Sequence, residues 1–150
     1  MRARAVSPAG PAAAAARPEV DLREVTLSVR GARLCVSWRV AARLRAGTIL
    51  SLVLRRPEGA PLEINTRVAR STAARPPVLA SGFGEDGDET ERIPGSVRVG
   101  GTSAVMRVDR SDLPPIAPQL HRFEWAAAVQ LGEVADAVPP AAAPTLRFPP

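Results

Sequence analysis

The sequence contains no lysine and no tyrosine, and it has a single cysteine and a single histidine. Each shortage removes a class of function. With Cys35 alone there is no intrachain disulfide, so nothing in the chain is built around an oxidising compartment. A structural zinc site takes four Cys or His ligands and a catalytic one usually three nitrogen, sulfur or carboxylate ligands; zinc is close to excluded. Nucleophilic catalysis needs a base beside the nucleophile. His121 and Cys35 are the one pairing on offer, and no spacing marks them as neighbours. No P-loop or G-x-G-x-x-G fingerprint occurs. Aromatics are 3% of residues, namely Phe83, Phe123, Phe148, Trp38 and Trp125. Valine, leucine and isoleucine must therefore build the core, at about 1.5–3 kcal/mol per fully buried side chain.

Long apolar runs are missing too. None approaches the roughly 18 residues of a membrane span, and the longest N-terminal run is the alanines at 12–16. A signal-peptide core needs about 7–15 apolar residues. The default expectation is a cytoplasmic protein without a membrane span, exported only if the start is mis-assigned or a leader was trimmed.

All 20 basic residues are arginine. Together with abundant alanine and proline, this reads as the codon usage of a GC-rich genome before it reads as function. The formal net charge is +5. Between residues 19 and 140, 16 arginines face 15 acids, which leaves +1; Arg2, Arg4, Arg17 and Arg147 lie outside. A nucleic-acid binder clusters its cations. Here both signs are interspersed along the chain, so no nucleic-acid partner is expected.

Residues 1–19 are rich in alanine, proline and arginine and read as a disordered arm. Residues 141–150 read as a flexible Pro-rich tail, although Leu146 and Phe148 are able to dock back. Between them period-two alternation dominates, the mark of half-buried strands. Val25, Leu27 and Val29 share one face. Leu34, Val36, Trp38 and Val40 share another, opposed by Arg33, Cys35, Ser37 and Arg39, with Gly31-Ala32 as the turn. TILSLVLRR is nearly continuous and suits a strand buried on both sides. LEINTRVA points Leu62, Ile64, Thr66 and Val68 inward. SVRVGG pairs with SAVMRVD, and RFEWAAAVQ aligns Phe123, Trp125, Ala127 and Val129. The helix-like stretch at 41–47 is too short to stand alone. About seven strands result, and two half-polar sheets pack best over a shared core. The fold expected over residues 20–140 is an all-β, antiparallel two-sheet sandwich, immunoglobulin-like or jelly-roll-like, with both tryptophans inside.

VGGTSAVMRVDRSDLPP followed by HRFEWAAAVQLGEVADAVP resembles the end of bacterial β-sandwich accessory modules, with Asp112-Leu113 at the corner, Trp125 on the strand, and Asp136 and Pro139 closing. Residues 21–40 match the first hairpin of such modules, which are similar to DOMON and family 9 carbohydrate-binding domains. The resemblance implies a sandwich and a binding role. Those modules often carry Asp-rich ligand residues after the third strand, where this chain reads RRPEGAPLEIN, so no site residue carries over.

The conspicuous polar feature is GFGEDGDETER. Glu85, Asp86, Asp88, Glu89 and Glu91 crowd into seven residues around Gly87. A flexible loop with these carboxylates has the oxygens that Ca²⁺ prefers, without the EF-hand spacing. A rise in melting temperature across millimolar Ca²⁺ is its test. An acid pair for glycoside hydrolysis, drawn from Asp109, Asp112, Glu124 and Asp136, is formally present. The expectation from these observations is a non-enzymatic interaction module. It binds another protein through an edge strand or through the long loop at 71–95; a small glycan or calcium is the alternative ligand. No cofactor is expected beyond such a calcium ion.

Overall fold

The computed structural model describes residues 2–6, 17–56, 60–70, 75–84, 87–115, 117–139 and 146–149. Two antiparallel sheets pack face to face. The first meander runs β1 (Arg2–Val6), β2 (Leu22–Arg30) and β3 (Arg33–Val40). The chain then crosses to the second sheet for β4 (Ile49–Arg55), β5 (Leu62–Arg67), β6 (Val78–Gly84) and β7 (Gly87–Ile93). It returns for β8 (Ser96–Gly100) and β9 (Ser103–Asp109), and crosses again for β10 (Phe123–Leu131), β11 (Val134–Val138) and β12 (Leu146–Phe148). The five-stranded sheet has the order β1-β2-β3-β9-β8, and the seven-stranded sheet the order β11-β10-β4-β5-β6-β7, with β12 also on β10. The all-β two-sheet sandwich is as expected; the described residues hold twelve strands, more than the seven that alternation revealed. No helix among them is long and apolar enough to cross a membrane.

Alternation sets the core. Val25, Leu27, Leu34, Val36, Trp38, Leu62, Ile64, Phe123, Trp125 and Val129 are all buried between the sheets. Both tryptophans are core residues. The run at 48–56 differs from expectation. On β4, Leu50, Leu52 and Leu54 are buried while Ile49, Ser51 and Val53 are half-buried. A strand flanked by β10 and β5 gains partial cover from its neighbours' side chains, so its outer face tolerates apolar residues without a second buried layer. Residues 41–47 form turns, and Leu44 plugs the core from there.

Two tail assignments are corrected. Residues 2–6, read as part of a disordered arm, pair with β2 from Arg2↔Ser28 to Val6↔Glu24 and bury Ala3 and Ala5. Residues 146–148, read as flexible tail, pair with the start of β10, and the Phe148 ring stacks on Phe123 at 4.9 Å. The irregular loop expected at 71–95 is likewise mostly the β6–β7 hairpin, with Gly84 opposite Gly87.

The two sheets are joined at both flanks. On one, Pro94 and Gly95 alone separate β7 from β8, so the chain passes from one sheet to the other without a loop. A Cβ at Gly95 would stand 2.9 Å from Val78 Cγ2 and 3.1 Å from the Arg107 carbonyl oxygen. Val78 is stiff at χ1, and the carbonyl is backbone. Gly95→Ala is therefore expected to cost about 1–3 kcal/mol, as overpacking does. Urea denaturation reads this as a lower midpoint at unchanged slope; an unchanged midpoint would show slack at the crossing. On the other flank, the Leu22 N–H donates to Asp136 Oδ2 at 2.9 Å and the Ala137 N–H donates to Asp136 Oδ1 at 2.9 Å.

Candidate functional site

Register assembles the outer face of the five-stranded sheet. Residues directly opposed in an antiparallel ladder share a face. Arg2 opposes Ser28, Ser28 opposes Cys35, and Cys35 opposes Arg107. Arg107 in turn opposes Ser96 on β8, so the row crosses all five strands, with two small polar side chains between its two arginines. The neighbouring row runs Arg4, Thr26, Ser37, Val105 and Arg98. Beyond the first row, Arg30 opposes Arg33, which opposes Asp109.

Charge on this face is one-sided. Among the described residues its acids are Glu24 and Asp109, and both are already engaged. Arg4 and Arg39 each donate to Glu24 Oε2 at 2.9 Å, and Arg33 Nε donates to Asp109 Oδ1 at 2.9 Å. The Arg4 hydrogen bond first, with Arg39 beside it, holds Glu24 below the usual carboxylate range. The Arg33 hydrogen bond does the same for Asp109, and it raises Arg33 in turn. Arg2, Arg30, Arg98 and Arg107 have no carboxylate partner among the described residues.

A hollow of about 450 Å³ opens over the rows. Half-buried Ser28, Cys35, Thr26 and Ser37 line its floor, and exposed Arg2, Arg30 and Arg107 line its rim. Its volume is in the range of clefts that hold a small ligand or a single side chain. The seven-stranded sheet differs. On its outer face Arg55 donates to Glu124 Oε2 at 2.7 Å, and Ser51 donates to Glu63 Oε1 at 3.0 Å. Cation and acid are mixed there.

Of the acidic cluster, Glu91 alone has a described side chain. Glu85 and Asp86 lie outside the described residues, as do the side chains of Asp88 and Glu89. Residues 87–93 form β7, and Glu91 is exposed on it, opposite Ala80. Among the described residues no group of three metal-ligating side chains forms.

The remaining candidates are scattered. Cys35 lines the arginine hollow; His121 lines a different one of about 420 Å³ with Phe123, Glu124, Arg147 and Phe148. Of the four acids weighed as a hydrolytic pair, Glu124 alone lines that second hollow. Asp109 is paired with Arg33, and Asp136 is 4% exposed and holds two backbone N–H groups.

Sequence reasoning missed the arginine face because it summed charge along the chain. The signals are present: Arg2, Ala3, Arg4 and Ala5 alternate, and Arg33, Cys35, Ser37 and Arg39 form one outward series. Which strands lie side by side decides that these series meet, and topology is not local. With the fold and this face described, the class is plain: an all-β, two-sheet antiparallel sandwich with a basic outer face. Compared with known proteins, the chain matches no family model, no curated protein and no solved structure.

Proposed function

We propose that the chain is a non-enzymatic interaction module that binds an acidic protein partner on the outer face of its five-stranded sheet. One observation carries this reading. Among the described residues Arg2, Arg30, Arg98 and Arg107 have no carboxylate partner, on a face whose own acids are already paired. Arginine is enriched at protein interfaces and presents a planar fork to carboxylates. Unpaired like charges on one face also steer an oppositely charged partner during encounter. With Glu24 and Asp109 engaged by Arg4, Arg39 and Arg33, these acids do not compete with a partner for Arg2, Arg30, Arg98 and Arg107. A glycan-binding module would use an exposed aromatic platform, and both tryptophans are core residues here.

The test is quantitative capture from lysate of the source organism with tagged full-length chain. An acidic protein is expected to bind the wild type and to be lost by at least tenfold with Arg30→Glu plus Arg107→Glu. Arg67→Glu plus Arg92→Glu, on the other sheet, should retain it. The complex should also weaken as salt rises toward 0.5 M, since the Debye length falls from about 10 Å at 0.1 M to about 3 Å at 1 M. Equal recovery by both double variants would sink the reading.

A further inference from the structure

We infer that the hollow between Arg2, Arg30 and Arg107 is a subsite for a tetrahedral oxyanion, the phosphoryl group of a phosphorylated side chain on the protein partner; this rests on the interaction reading above. The face itself shows how carboxylates are met. Asp109 is satisfied by one arginine and Glu24 by two, and neither of these acids lines the hollow. Around the hollow three arginines have no acid partner among the described residues, and its lining holds no acidic side chain among them. Three guanidinium groups around one cleft repel each other until something anionic enters. A single carboxylate brings one charge and two oxygens, and on this face it takes at most two arginines, as Glu24 does. A phosphoryl group carries about −1.5 to −2 charges at neutral pH and three acceptor oxygens, which matches three arginine donors with hydroxyls beneath them. Ser28 and Ser37 supply those hydroxyls; among the described residues neither donates to another protein group.

Geometry favours a discrete anion over a polyanion. From Arg2 through Ser28 and Cys35 to Arg107 the row spans three strand spacings, roughly 14 Å at 4.7–4.9 Å each, with Ser96 alone beyond it on β8, so its cations are two and bounded. Single-stranded nucleic acid is held along a continuous groove with aromatic rings for its bases. On this face the described residues include no aromatic side chain.

The experiment titrates full-length chain with inorganic phosphate, and separately with sulfate and with chloride at matched ionic strength. Backbone amide shifts and the melting temperature are followed. Phosphate is expected to bind saturably, to shift the amides of Ser28, Cys35, Ser37 and Arg107, and to raise the melting temperature. Arg30→Gln plus Arg107→Gln should weaken phosphate at least tenfold while folding normally by circular dichroism. Arg67→Gln plus Arg92→Gln should leave it unchanged. Equal shifts with chloride, or unchanged phosphate affinity in the first double variant, overturn the inference. Sulfate bound tenfold more tightly than phosphate overturns the phosphoryl assignment in favour of a sulfated ligand. A single-stranded oligonucleotide that outcompetes phosphate with a steep salt slope overturns it in favour of nucleic acid. Poly-glutamate serves as the separating arm. If it binds the wild type and not Arg30→Gln plus Arg107→Gln while phosphate fails, the oxyanion subsite falls and the acidic-partner reading stands. If neither binds, both fall.

Discussion

Phe148→Ala is expected to destabilise the chain by about 3–5 kcal/mol, the usual cost of emptying a buried phenylalanine site. Only Pro149 and Pro150 follow it in the sequence, a position where substitutions usually cost little. Here the ring is 1% exposed and stacks on Phe123 at 4.9 Å and 17°. Removing it takes away the buried area, the ring pair and the anchor of β12 together. For a domain of this length, 1 kcal/mol moves the melting temperature by about 2–4 °C, so a fall of roughly 10 °C should appear in a thermal scan. Phe148→Leu, which refills most of the volume, should recover more than half of the loss. A melting temperature within 2 °C of wild type for Phe148→Ala would show that the last strand contributes nothing to the fold.

Asp136→Ala should cost about 2–4 kcal/mol, since leaving a buried donor unmet costs roughly 1–3 kcal/mol and two N–H groups lose their acceptor. Asp136→Asn keeps one acceptor and should lose less. The pair also separates two pH effects. Burial pushes the Asp136 carboxyl above its usual value of 3.8, against the pull of the Leu22 and Ala137 N–H groups. The folded state then holds the proton more readily than the unfolded state does. Stability from this group is greatest below pH 3.8 and declines as pH rises through its folded pKa. Glu24 and Asp109 act in the opposite sense. Their folded pKa values are depressed, so their contribution is present at neutral pH and is lost on acidification. Wild type minus Asp136→Asn, measured by urea denaturation at pH 4 and pH 7, cancels the shared carboxylates. The difference should favour the wild type more at pH 4; a difference that grows toward pH 7 would contradict the sign.

Much of the fold was legible because alternation is local. The inward series Leu34, Val36, Trp38, Val40 and Phe123, Trp125, Ala127, Val129 are written directly in the sequence and are buried as written. What escaped has definite causes. In β1 the inward positions are Ala3 and Ala5, whose small, weakly strand-forming side chains give alternation too little contrast. In β12 only three residues stand before Pro149, too few to show a period. In β7 the residues are nearly all polar, and their strand form follows from pairing with β6. The arginine face was the least legible element. It depends on β1 joining β2 and on β9 returning to β3, and both are long-range events. Of the acidic run, vivid in the sequence, Glu91 alone has a described side chain.

The joined flanks bear on where such a molecule is able to hold anything at all. Many sandwiches and barrels act as purses, opening along a seam to admit cargo between their layers. This one is stitched on one side by the Pro94-Gly95 crossing and on the other by the Asp136 carboxylate, and tryptophans fill the space between. With both flanks closed among the described residues, a partner of the proposed kind would meet the outside of the sheets rather than enter between them.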